Sequence, residues 1–544
     1  MSISESRGLF GEFLRTARDA AARPAFTFLD AHLAASSYTF EQLLACVDQL
    51  ARRLSRARPD PALPIAILVS SQEGQVLHCL AAMSLGLTPA ILTPPHRKLN
   101  RAYYLATTRA IFDYARFSAV ITDLGDVESP IATLQAYTLH ALKAGGREPA
   151  RTQTSVEGSA FLQFSSGTTG IKRGVLVSNA AALAQIRAYA EAIDLSTRDS
   201  IVSWLPLYHD MGFITSLQMP LARGVHATMI QPIDWVTNPA LYLEAVSRFG
   251  GTLGWHPNFA FAFMADRVRE VDLGGLDLSS LRGLVNCSEP PTKQSQDHFT
   301  RRFRGLGLSP SVFQGCYAMA ETTFAMTHGR CTDAAYLDGT GATGFPPRSW
   351  AEPFVSVGRP LEGVDIIVTD NDGRALPDRC VGELWVKSPF NATGYYDDPV
   401  ATAAAFRDGW HRTGDLGYRA GDVLYVCGRR KDLLIVGGVN IVPHDVEDAV
   451  ADIPDVHPGR VSVFGDFDAN TQTERMTILA ETSAAPEQQP DIVARIRQRV
   501  AAEFQAAGFD VSLVPLGWLV KSSAGKMARR ANREKWLEWR SSAR

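Results

Sequence analysis

The 544-residue chain carries 54 basic and 57 acidic side chains, a net charge of −3, with 46% apolar and 20% charged residues. This balance is ordinary for a globular protein and excludes bulk electrostatic capture by nucleic acid or anionic lipid, so the partners are set by local sites. No apolar run reaches the length of a membrane span, and at about 150 residues per unit the chain is long enough for more than one independent core.

In chain order, short β-branched apolar runs alternate with helix-like stretches. Strands are predicted at 65–69, 89–92, 119–122, 160–164 and 283–286, with a helix over 72–86 after the first. Continuous apolar strands bounded by turn residues suit sheets covered on both faces, which predicts an α/β class: a large layered N-terminal α/β body. Residues 328–354, rich in Gly and Pro with little periodicity, read as a loop or insertion. A strand over 423–427 ends in the polar turn Gly428-Arg-Arg-Lys-Asp432, where the body is expected to stop. Beyond it, strands over 460–464 and 476–480 and a helix over 490–506, with Ile492, Val493, Ile496 and Val500 on one face, predict a small mobile α+β C-terminal domain. The predicted domains are therefore 1–430 and 431–544. Seven scattered cysteines without a C-x-x-C pair, and a start without an apolar signal region, predict a reduced, cytoplasmic protein. The twelve dispersed histidines give no zinc-ligand spacing.

The most informative segment is Phe164-Ser-Ser-Gly-Thr-Thr-Gly-Ile-Lys-Arg-Gly174, placed directly after a strand. Glycines let backbone N–H groups converge on an anion, hydroxyls add donors, and Lys172 and Arg173 supply charge. Ser165, Ser166, Gly167, Thr168, Thr169 and Gly170 are thus candidate phosphate ligands, although the Walker A spacing is not matched.

This loop resembles the phosphate-binding motif of the adenylate-forming superfamily, and further signatures follow in the family's order. Trp204-Leu-Pro-Leu-Tyr-His-Asp-Met-Gly212 resembles the P-x-x-H-x-x-G element, Tyr317-Ala-Met-Ala-Glu321 resembles Y-G-x-x-E, and Gly382-Glu-Leu-Trp-Val386 with Gly394-Tyr395 matches the next element. Trp410-His-Arg-Thr-Gly-Asp415, Gly428-Arg429 with Lys431-Asp432, and Lys521-Ser-Ser-Ala-Gly-Lys526 resemble the ribose-binding, hinge and catalytic-lysine motifs. Pro257-Asn-Phe-Ala-Phe261, Asn286-Cys-Ser-Glu-Pro290 and Ser356-Val-Gly-Arg-Pro360 look most like the fatty acyl-AMP ligase branch. A peptide-synthetase reading is weaker, because the aspartate such domains use for an α-amino group would fall near 207–213, where Tyr208-His209-Asp210 stands.

The resemblance implies ATP-dependent activation of a fatty or related carboxylic acid, with Mg²⁺, followed by acyl transfer to the phosphopantetheine thiol of an acyl carrier protein; CoA is the alternative acceptor. It implies a place in lipid or polyketide metabolism. Lys526 is implied as the catalytic cation, Glu321 as the Mg²⁺ ligand and Lys431 as the hinge. Asp415 and Arg429 are implied at the ribose, with Ser288, Glu289, Pro290, Tyr317 and Ala318 around adenine. Trp204, Tyr208, His209, Trp255, Asn258 and Phe259 are implied around the acyl group, and Gly437 and Gly438 beside the thiol arm. Two departures stand out: Lys172-Arg173 replaces the usual Pro-Lys of the phosphate loop, and Ala318 replaces Gly. Retention of Lys526, Glu321, Asp415 and Arg429 argues against a non-catalytic nucleotide-binding protein.

Overall fold

The computed structural model describes residues 8–95, 101–124, 136–138, 158–164, 173–334, 336–338, 354–436, 439–468, 473–504, 509–521 and 527–542. A nine-stranded sheet runs in the order Arg359–Pro360, Thr327–Arg330, Phe313–Gly315, Gly283–Asn286, Leu253–His256, Ser200–Ser203, His226–Ile230, Pro24–Leu29, Ala35–Thr39. The six strands from Phe313–Gly315 to Pro24–Leu29 are parallel, and antiparallel pairs close both ends. Ser200–Ser203, Leu253–His256 and Gly283–Asn286 are buried throughout, the polar residues Ser203, His256 and Asn286 at their carboxyl ends included. A second, four-stranded parallel sheet holds the predicted strands Ile65–Leu68, Pro89–Ile91 and Ala119–Thr122, with Ala136–Thr138 at its edge.

This topology fixes where chemistry can occur. Ligands of open parallel sheets bind beyond the carboxyl ends of the strands. Trp204, Gln231, Asn258, Ser288 and Tyr317 all lie within two residues of such an end.

Residues 434 to 513 contribute a separate apolar core, in which Val446, Val463, Ile478, Ile492, Ile496 and Val500 are fully buried. Strands Val461–Asp468 and Thr473–Thr482 are antiparallel, and Asp510–Pro515 lies parallel to the second. Helix Gln489–Phe504 covers them with the predicted face, although Val493 at its margin is only half-buried. The chain is therefore a large mixed α/β body with a smaller C-terminal region. Among the described residues no helix is long and apolar enough to cross a membrane.

One expectation needs correction. The segment predicted as a loop from 328 opens inside strand Thr327–Arg330, and Leu337–Asp338 pairs with Phe354–Val355. These strands are too short to show alternation and are held by partners distant in sequence, so periodicity did not reveal them. Residues 335 and 339–353 of that segment lie outside the described residues.

Candidate active site

A cleft of about 2890 Å³ lies between the large body and the C-terminal region. On the body side its centre is Asp415. Strand Trp410–Ala420 is interrupted there: Gly414 takes φ +71°, and the pairing with Gly382–Lys387 slips between Glu383 and Trp385. A left-handed residue at a bulge re-aims its neighbour, and Asp415 is turned into the interior with 4% exposure.

Tyr317 Oη donates to Asp415 Oδ2 at 2.6 Å. Arg429, the residue paired with Asp415 on the adjacent strand, brings Nε to 2.9 Å from Oδ1. That contact is charge against charge but off the hydrogen-bond axis, so Oδ1 retains its accepting capacity among the described residues. A buried carboxylate oxygen with an unused lone pair, flanked by a cation, suits the vicinal hydroxyls of a ribose. Burial, then the Asp415 charge, pushes the Tyr317 hydroxyl far above its ordinary range and keeps it a donor. Asp415 in turn raises Arg429.

Glu321 sits in the turn Ala320–Thr322, pinned by Ala392 N donating to its carbonyl at 2.8 Å. Its Oε1 accepts from Tyr395 Oη at 3.1 Å, and the Arg173 guanidinium lies 5.2 Å from the Tyr395 ring centre. Tyr395 was assigned no role from the sequence, whereas Arg173 was expected to supply charge to the phosphate loop; both line the cleft beside Glu321. Ser165, Ser166, Gly167, Thr168, Thr169, Gly170 and Lys172 lie outside the described residues. Their flanks, Phe164 and Arg173, both line the cleft, and Phe164 pairs with Gly174. Among the described residues no group of three or more His, Cys, Asp or Glu side chains converges as a metal site.

Ser288, Glu289 and Pro290 follow the carboxyl end of Gly283–Asn286 and line the cleft with Tyr317 and Ala318. Ser288 is itself in the left-handed region, φ 71°. Glu289 accepts from Phe259 N at 3.1 Å. Asn258 Oδ1 accepts from Asn286 Nδ2 at 2.8 Å, Thr292 N at 3.1 Å and Ser295 Oγ at 2.7 Å, so this side chain fastens the 286–295 turn to helix Asn258–Arg267.

The apolar wall is aromatic. Trp204 stacks on Trp235 with ring centres 3.5 Å apart and planes at 5°, and Phe259 meets both edge-on at 6.4 Å. Trp204 Nε1 donates to His256 Nδ1 at 2.9 Å, which leaves the imidazole proton on Nε2. Burial drops His256 to about 3, so it is neutral. Tyr208 and His209 line the cleft with ring centres 5.0 Å apart. The glycine closing their motif is sterically required: a Cβ on Gly212 would stand 2.4 Å from the Pro206 carbonyl oxygen.

Trp255 is not part of this wall. Its Nε1 donates to Tyr189 Oη at 2.8 Å and its side chain is 1% exposed, on the sheet face opposite His256. Trp235, absent from the sequence reading, takes the place expected of it; helix Pro232–Thr237 carries no motif that could have flagged it.

The C-terminal wall contributes His444, Glu447, Asp448, Arg460, Lys521 and Arg529. Asp448, against the cost of burial, and Glu447 hold His444 up at about 9, so it is cationic at neutral pH. Burial and Arg460 lower Lys521 to about 8. Lys526, Gly437 and Gly438 lie outside the described residues, as does the side chain of Lys431, whose backbone forms the turn Arg430–Asp432. Lys521 and Met527 form an antiparallel bridge and both line the cleft, so the chain enters and leaves the 522–526 segment at the cleft wall.

The family model described as AMP-binding enzyme matches residues 13–396. A long-chain-fatty-acid–AMP ligase, FadD26 of Mycobacterium marinum, is 29% identical over 556 aligned positions, covering 94% of each chain. A Mycobacterium tuberculosis protein described as "Probable long-chain-fatty-acid–AMP ligase FadD30" is 31% identical over 69% of each. A solved structure from work on fatty acyl-adenylate ligases of E. coli and L. pneumophila superposes with a TM-score of 0.88 over 100% of both chains at 25% identity. A fatty acyl-adenylate ligase from L. pneumophila, in complex with acyl adenylate and pyrophosphate, superposes with a TM-score of 0.73 over 98% of this chain and 97% of its own, at 26% identity.

Proposed function

The chain belongs to the AMP-binding enzyme family and is an adenylate-forming ligase; from that premise we propose that it activates a fatty or similarly apolar carboxylic acid with ATP, then passes the acyl group to the phosphopantetheine thiol of an acyl carrier protein. The observation that carries this reading is the Asp415 site, a buried carboxylate with one accepting oxygen to spare, in a cleft that the Trp204–Trp235 stack also lines.

In the first step the acid's carboxylate oxygen attacks the α-phosphorus and pyrophosphate departs. Two anions must meet, so positive charge and in-line placement dominate the catalysis. Asp415 and Arg429 hold the ribose, and the turn Ser288-Glu289-Pro290 with Tyr317 and Ala318 flanks the adenine. The 165–170 loop, with Lys172 and Arg173, receives the phosphates. Lys526 enters from the C-terminal wall between carboxylate and phosphate. Glu321 keeps lone pairs beyond its Tyr395 bond and would hold the Mg²⁺ that arrives with the nucleotide, an ion that neutralises phosphate charge. Trp204, Tyr208, His209 and Phe259 enclose the acyl group.

In the second step the acceptor sulfur attacks the acyl carbonyl, AMP leaves, and the thiol proton is released. The region from 431 onward reorients about Lys431 between the steps, which makes 1–430 and 431–544 the functional domains, and Gly437 and Gly438 give the thiol arm close passage. Arg460, Lys521, Arg530 and Arg533 on the cleft wall suit an acidic carrier and the phosphate of its arm. All seven cysteines are unbridged, as befits the cytoplasm. The product would feed lipid or polyketide assembly.

The acceptor is tested with purified enzyme, a fatty-acid panel, ATP and Mg²⁺, followed by mass spectrometry. Acyl-adenylate should accumulate, and holo-carrier protein should drain it at least about tenfold faster than free CoA at equal concentration, given complementary docking. Efficient acyl-CoA formation would make the enzyme an acyl-CoA synthetase instead.

A further inference from the structure

The residues on either side of Lys431 are tied in opposite directions. Arg430 donates from Nη1 to Glu383 Oε2 at 2.9 Å and from Nη2 to Asn371 Oδ1 at 3.0 Å. Glu383 lies in strand Gly382–Lys387 of the large body, is almost fully buried, and also takes Arg412 Nη2 at 3.1 Å. Arg430 is thereby part of the body.

Two residues later the allegiance changes. Asp432 Oδ2 accepts from Arg529 Nη1 at 2.9 Å. The same guanidinium grips Glu447 through Nε at 2.8 Å and Nη2 at 2.6 Å, a two-pronged contact that fixes orientation as well as distance. Glu447 belongs to helix Pro443–Ala451 and accepts from Val463 N at 2.9 Å, so it is locked to the C-terminal sheet. Burial alone would raise Glu447, yet Arg529 and His444 bring it down to about 2, and the clasp stays ionised at neutral pH. Arg529 opens the helix Arg529–Ser542 three residues after Lys526.

We propose that Arg430, held by Glu383, and Asp432, held by Arg529, are positioning residues that confine reorientation of the C-terminal region to the backbone torsions of Lys431, so that helix Arg529–Ser542 moves as a rigid extension of Asp432. This rests on the two-step function proposed above. A pivot delimited to one residue has few soft torsions, and the two working orientations are then well populated rather than diluted among many.

The test uses the full chain with spectroscopic labels introduced as p-azidophenylalanine at Val271 and Leu516, both exposed, one in each part. Arg430→Gln and Asp432→Ala should each broaden the distance distribution between the labels. Each should also lower kcat for thioester formation about tenfold, the loss from one charge-assisted hydrogen bond, with KM for acid and ATP unchanged. Asp432→Glu should recover most of both. Arg430→Gln leaves the C-terminal core untouched, so it decides the matter if Asp432→Ala folds poorly. Unaltered distance widths together with unaltered kcat in Arg430→Gln would overturn the proposal. Lys431→Pro separates this from the parent reading: it should lock φ and let acyl-adenylate accumulate with little thioester. If it does so while the flanking variants behave as wild type, only the two-sided tie is wrong; if thioester still forms at the normal rate, reorientation about Lys431 is wrong.

Discussion

Replacing Lys526 by Ala is expected to reduce acyl-adenylate formation by about 10²–10³, the usual cost of removing one donor aimed at charge that develops in the transition state. The carboxylate and the α-phosphate repel each other in that step, and the ammonium is the group proposed to bridge them. Thioester formation from supplied acyl-adenylate has no such anion pair to relieve, so the variant should carry it out at close to the normal rate. Pyrophosphate exchange reads the first step and transfer from synthetic acyl-adenylate reads the second. Exchange near the wild-type rate would remove Lys526 from the mechanism.

The Asp415→Ala variant should lose about 10² in AMP affinity, since hydrogen bonds to a charged acceptor contribute about 1.5–3 kcal/mol each. The protein should also become less stable. Tyr317 Oη and Arg429 would both lose their shared partner, one of them deep in the interior. Arg429 is 44% exposed and can rehydrate, so its share is small; the stranded Tyr317 hydroxyl dominates, at about 1–3 kcal/mol. Asp415→Asn retains an acceptor for Tyr317 and should recover most of the stability but little of the affinity. Calorimetry with AMP and thermal unfolding separate the two effects. Wild-type affinity in both variants would place the ribose elsewhere.

The buried strands were legible because two-sided burial leaves an uninterrupted apolar run, as at Ile65–Leu68. The order of the nucleotide-binding motifs was legible too, but not their meeting: Tyr317 and Asp415 stand 98 positions apart and are joined by a bulge at Gly414 that local sequence does not announce. The aromatic run from Trp255 to Phe261 was misleading for a simple reason. Alternation in strand Leu253–His256 sends Trp255 to the face opposite His256, and in the following helix Phe261 packs against Phe299 and Phe313 while Phe259 reaches the cleft. Trp235 went unseen because its contact with Trp204 depends on two parallel strands, Ser200–Ser203 and His226–Ile230, lying side by side.

That face-to-face indole pair has an optical consequence. Two chromophores 3.5 Å apart with almost parallel planes share their excitation, and one of them is also hydrogen-bonded to a neutral imidazole. Both are shielded from water, whereas Trp539 is half exposed. The light absorbed and emitted by the stacked pair is therefore expected to differ in colour from that of a half-exposed tryptophan such as Trp539, and a hydrocarbon tail lying against Trp204 should alter the first signal and leave the second alone. The protein carries its own dye at the place where the acid is proposed to sit, and filling of the groove can be followed without attaching anything to it.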